Sequence, residues 1–137
     1  AVRRAGPNIA VLRECRLALV SSAGFVLPSQ APFDDSIKGG DPSFREIPGD
    51  VDISTLVETH RSESFDHTGI QKDPNLAFPI HRVRELAESG RIGSASRRHL
   101  SFMGSIVAPG RFVRDSIPSM AEILLGEATD VALLIPV

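Results

Sequence analysis

Five side chains able to move protons fall between positions 58 and 67: Glu58, His60, Glu63, Asp66 and His67. Imidazole and carboxylate groups that meet across a folded loop can act as an acid/base pair or share a metal ion. A zinc site needs three or four convergent ligands, and the His-x6-His pair of His60 and His67 has no third ligand at a recognised spacing. No metal site is therefore expected, and His60 with Asp66 remain the catalytic candidates. Arg45 could hold a substrate carboxylate through its guanidinium fork, or pair with Asp34 or Asp41. Asp34 and Asp41 lie among prolines and glycines, where Asp commonly closes an Asx turn. Asp73 and Asn75 precede Phe78-Pro79 and could cap the next helix or face a ligand. Ser22, in Ser21-Ser22-Ala23-Gly24, could offer an anion backbone N–H groups, although no dinucleotide, Walker or Gly-x-Ser-x-Gly motif is present. Ser22, Asp34, Arg45, His67, Asp73 and Asn75 are the substrate-binding candidates. Cys15 has no second cysteine to pair with, and a structural thiol is favoured over a nucleophile.

These groups need elements to hold them. Leu17 to Ser22 reads as a buried strand running into a loop, and Asn8 to Arg16 before it as a short helix with Ile9, Leu12 and Cys15 on one face. Residues 24 to 42 are broken by Pro28, Pro32, Gly39, Gly40 and Pro42 and should form a long loop. Ser43 to Pro48 and Ile53 to Thr59 read as strands, and Arg61 to Ala77 as a second, aperiodic loop. The spacing of Ile80, Val83, Leu86 and Ala87 predicts a helix over 79–89, with Pro79 at its first turn and Gly90 at its stop. Leu100 to Ile106 reads as a strand. Arg111 to Glu127 carries an apolar stripe on a helix that Pro118 should kink or restart. Val131 to Ile135 is apolar throughout, as expected where helices cover both faces of a parallel sheet.

Strands alternating with amphipathic helices predict one α/β domain over 1–137, with three layers and a mostly parallel, flavodoxin-like or Rossmann-like sheet. Ligands of such sheets bind beyond the carboxyl ends of the strands, so both long loops and the end of the last strand should meet at one rim. That strand has no covering helix after it, and the protein is expected to continue past Val137.

Composition narrows the function. With 15 Lys and Arg against 17 Asp and Glu, the net charge is −2, and the one basic run is Arg97-Arg98-His99, so a nucleic-acid surface is not expected. Seven Phe without Trp or Tyr leave few platforms for stacking bases. Neither a membrane span nor a signal peptide is apparent, which makes the cytoplasm the expected location. The stripe from Phe112 to Leu124 could serve a homodimer as well as a core.

Pro32-Phe33-Asp34, Gly40-Asp41-Pro42-Ser43-Phe44-Arg45-Glu46-Ile47-Pro48, His60, Asp66, Asp73-Pro74-Asn75-Leu76-Ala77-Phe78-Pro79 and Gly90-Arg91-Ile92-Gly93 together resemble the selenoprotein B family of glycine, sarcosine, betaine and D-proline reductases. The resemblance spans nearly the whole chain. It implies reductive cleavage of a small amine or amino-acid-like substrate, with a Sec-x-x-Cys or Cys-x-x-Cys motif directly after the position of Val137. It further implies a thioredoxin-type reductant and a partner subunit that supplies a carbonyl group. Cys15 does not match the motif, so the chain holds no redox cofactor group of its own. Two alternatives stay open: a catalytically silent small-ligand-binding module, and a non-redox enzyme using His60 and Asp66.

Overall fold

The computed structural model describes residues 11–59 and 66–137. Strand β1 (Arg16–Ser21) is the axis of the fold, its Leu-Ala-Leu-Val run buried on both faces. It pairs in parallel with β7 (Val131–Ile135) on one side, and on the other with β5 (Ser94–Ala95) and then β6 (Arg98–Phe102). Strand β3 (Phe44–Pro48) joins the outer side of β6 antiparallel. Strands β2 (Phe25–Val26) and β4 (Val57–Glu58) form a separate antiparallel ribbon. The main sheet is mixed and mostly parallel, as an α/β fold requires.

The period-2 alternation of β1 divides the core. Leu17 and Leu19 join Ile80 and Val83 of helix α2 (Ile80–Glu88) on one face. Val20 joins Leu100 and Met120 of helix α3 (Ile117–Gly126) on the other. Helices thus cover both faces, giving three layers.

Several local expectations change. Within the described residues, the helix expected over 8–16 is a single 3-10 turn, Leu12–Glu14. The sheet takes over from there: the Cys15 carbonyl accepts from Gly93 N at 2.9 Å, and Arg16 N donates to Asp130 Oδ2 at 2.8 Å. Cys15 is buried, with Sγ facing the Val11 carbonyl. Of the strand expected over 53–59, Ile53–Thr55 is a 3-10 turn held by Asp52, whose side chain accepts from Ser54 N, and two residues remain extended as β4. The second loop contains helix α1 (Thr68–Lys72) and a 3-10 turn, Pro74–Leu76. The first loop contains β2. The strand expected over 100–106 lies instead at 98–102, ending before Gly104. Pro118 begins the second part of its helix, after a π-helical turn at Phe112–Ser116. Strand β7 is present where expected but lies at the sheet edge, with Leu133 and Leu134 exposed.

The β1 ladder has a gap that a side chain fills. Strand β5 meets β1 at Arg16 and Leu17, and β6 meets it at Val20 and Ser21. Between them, Leu19 N donates to His99 Nδ1 at 2.9 Å. The buried imidazole replaces the missing carbonyl, which places its proton on Nε2.

Candidate functional site at the carboxyl rim of the sheet

β1 and β7 end side by side. Val137 N donates to Ser22 Oγ at 2.8 Å, and Ser22 N donates to the Ile135 carbonyl at 3.1 Å. The neighbouring Ser21 Oγ donates to the Ala77 carbonyl at 2.7 Å, which draws the segment before α2 over the same rim. Asp66, Gly69, Ile70, Leu76, Ala77, Pro136 and Val137 line an open cavity of about 270 Å³ there. Among these residues only Asp66 carries a charged side chain, and it is exposed to solvent.

Local chemistry explains why the second loop folds this way. Asp66 Oδ1 accepts from Thr68 N at 2.9 Å, starting α1. Hydrogen bonds from the Thr68 side chain and backbone hold the Asp66 carboxyl below its usual range, so it is ionised at neutral pH. Beside it, His67 Nδ1 and Glu58 Oε1 are 2.5 Å apart and both half-buried, joining α1 to β4. Asp73 Oδ1 accepts from Asn75 N at 3.0 Å, and Asn75 Oδ1 accepts from His81 N at 3.1 Å, so the pair ties the loop to the start of α2.

The other candidates lie in the first loop. Asp34 Oδ1 accepts from Ser36 N at 2.9 Å in an Asx turn, and Asp34 N donates to Asp41 Oδ2 at 2.8 Å. Burial works to raise the Asp41 carboxyl, but hydrogen bonds from Asp34 and Ser43 and the nearby Arg45 charge leave it lowered overall. Arg45 lies 4.3 Å above the Phe33 ring and donates to the Ala31, Pro32 and Phe44 carbonyls and to Ser43 Oγ. Its guanidinium therefore closes the loop. Asp34, Arg45, His67, Asp73 and Asn75 are not among the residues lining the cavity, whereas Asp66 lines it and Ser22, itself outside the lining, holds its Val137 wall. His60 lies outside the described residues. Among the described residues, no group of three or more His, Cys, Asp or Glu side chains could hold a metal ion. None of the described helices is long and apolar enough to cross a membrane.

Sequence reasoning placed Glu58 among the carboxylates within reach of His67 without choosing it as the partner, and missed Gly69, Ile70 and Pro136 as cavity walls. The spacing of Asp66 and Thr68 was the available signal, because an Asp two residues before a free backbone N–H opens a turn.

Comparison with known proteins bears on this site. The chain is 32% identical over 123 residues, 90% of its length, to D-proline reductase subunit gamma of Acetoanaerobium sticklandii. That match supports a relationship with the reductase family. The chain spans about half the length of the curated relative, 49% of that protein. No family model matches the chain, and no solved structure matches it.

Proposed function

We propose that this chain is a reductase subunit that reductively cleaves a carbon–heteroatom bond of a small amine or amino-acid-like substrate, bound in the rim cavity. One observation carries the reading. The cavity wall contains both Val137, after which the resemblance implies a selenol or thiol motif, and Asp66, an ionised carboxylate. About 270 Å³ is slightly below the roughly 300 Å³ at which pockets for drug-sized ligands begin, and suits a substrate of a few heavy atoms.

In this reading Asp66 pairs with the substrate's ammonium group, while Ile70, Leu76, Ala77 and Pro136 offer apolar contacts beside it. Ser22 holds the Val137 backbone, which fixes where the next residue enters the cavity. The motif would supply two electrons through its two chalcogens, and a thioredoxin-type dithiol would restore them. A partner reductase subunit, by analogy with the relative's designation as a subunit, would complete the complex.

The test uses the polypeptide made by its own gene. Its mass and selenol or thiol content are measured, together with dithiol-dependent consumption of glycine, sarcosine, betaine and D-proline. A reactive chalcogen just after Val137, turnover of one substrate, and a KM raised at least about tenfold by Asp66→Asn are expected. A polypeptide that ends at Val137 and reduces none of them would overturn the reading.

A further inference from the structure

We infer that His81 is a proton-operated tie on the wall of the rim cavity: the neutral imidazole holds Asn75, and the imidazolium releases it and loosens residues 73–77. The inference concerns how the wall is held and does not depend on what the cavity binds.

Three contacts meet on the Asn75 side chain. Its Nδ2 donates to Asp73 Oδ1 at 3.1 Å, its Oδ1 accepts from His81 N at 3.1 Å, and its Nδ2 lies 3.1 Å from His81 Nδ1. A carboxylate only accepts and a backbone N–H only donates, so the first two contacts fix the amide orientation in the same sense. Turning the amide over would set two acceptor oxygens together at Asp73 and two donors together at the His81 backbone. With Nδ2 facing the imidazole, Nδ1 must accept, and the ring is the neutral tautomer with its proton on Nε2. A second proton can enter the ring only at Nδ1, where it meets the Asn75 NH2 group. The contact then changes from attraction to repulsion.

The charged ring has another partner within reach of its field. Asp52 caps the 3-10 turn Ile53–Thr55. Hydrogen bonds from the Ser54 side chain and backbone hold its carboxyl below the usual range, and the charges of His81 and Arg84 act in the same direction. Asp52 therefore draws an imidazolium away from Asn75. On α2 itself, Glu85 is paired with Arg82, and Arg84 donates to the Gly49 and Val51 carbonyls and opposes further positive charge. Asp73 reaches the ring through Asn75.

The tie acts on the wall because Leu76 and Ala77, which line the cavity, directly follow Asn75. Their backbone N–H groups donate to the Asp73 and Pro74 carbonyls, both at 3.1 Å, within the turn that Asn75 joins to α2. Release of Asn75 loosens that turn, while Ile80 and Val83 remain packed in the core.

Nitrogen-15 NMR of the polypeptide made by its own gene tests this between about pH 8 and pH 5, where imidazoles change charge. At the upper end the His81 ring is expected as the Nε2–H tautomer. As it takes up its proton, the Asn75 side-chain NH2 and the His81 backbone N–H should shift with the same midpoint. Protection of amides 75–77 from exchange should fall by about threefold or more, as the loss of one hydrogen bond produces. In His81→Asn, whose amide oxygen replaces the Nδ1 acceptor and does not titrate, that fall should disappear. An Nδ1–H tautomer at the upper end, or Asn75 signals that ignore the His81 titration, would overturn the proposal. So would an equal loss of protection in His81→Asn, because another group would then be responsible. The tautomer and the Asn75 shifts are read in the unaltered protein, so the proposal stays open to refutation if the variant does not fold.

Discussion

The hydroxyl oxygen of Ser22 accepts the Val137 backbone N–H at 2.8 Å, so the residue just after β1 ties down the segment just after the adjacent strand β7. The bond joins the ends of two parallel strands that lie more than a hundred residues apart in sequence, and it holds one corner of the rim cavity.

Replacing that hydroxyl should loosen the corner without disturbing the core. Ser22→Ala is expected to lower stability by about 1 kcal/mol, the net value of one such hydrogen bond. Urea unfolding with an unchanged m-value checks it. A loss well above this would mean that Ser22 supports the sheet as a whole.

Burial first, and the nearby Arg84 charge second, push the His99 imidazole down to about 4. Because the folded-state value lies below the ordinary 6.5, the unfolded chain takes up a proton between pH 6.5 and 4 that the folded chain refuses. Stability from this group is complete above about pH 6.5 and is lost as pH falls toward 4, by about 3 kcal/mol in total. Thermal unfolding from pH 7.5 to 4.5 should follow that slope. His99→Phe should flatten it and, by orphaning the Leu19 N–H, cost about 1–3 kcal/mol at pH 7.

At the opposite rim Glu127, only 4% exposed, accepts from Arg98 Nε at 2.7 Å and faces Arg97 at 3.4 Å. The Arg98 hydrogen bond is the main reason its carboxyl is lowered. Its ion-pair contribution is present above the ordinary carboxylate value and is lost as pH falls through the lowered one. Both arginines reach solvent, which screens the pair. Glu127→Gln is expected to cost about 1.5–3 kcal/mol at pH 7 and little below pH 3, as measured by denaturation at both pH values.

Arg45 is a test of loop order. Arg45→Lys retains the charge but not the fork that serves three carbonyls and a hydroxyl. Faster amide exchange over residues 31–43, with the β1 amides unchanged, is the expected result. Unaltered exchange in that loop would show that Asp41, with bonds from Asp34 N, Ser43 N and Ser43 Oγ, is sufficient to order it.

Much of the architecture was legible in the sequence because its signals are local. The apolar run at 17–22, the helical spacing of Ile80 and Val83, and the run at 131–135 depend on side-chain periodicity, which a chain carries before it folds. Turn chemistry was equally readable at Asp34, Asp73 and Asn75, where a short polar side chain reaches a backbone N–H close by in sequence.

Other features came from contacts between distant segments. Cys15 and Arg16 leave a helical pattern because Gly93 and Asp130 claim their backbone groups. His99 carries no periodic mark of its role, since the gap it fills in β1 exists only once β5 and β6 have docked. By itself the sequence determined β1, β3, α2, α3 and β7, the Asx turns and the resemblance to a reductase family. Only the tertiary structure decided that Asp66 and Val137 share a cavity, that Arg45 is committed to its own loop, and that β7 stands at an open edge. Each of those depends on which surfaces meet, and burial free energy selects that among segments whose local preferences would allow several arrangements.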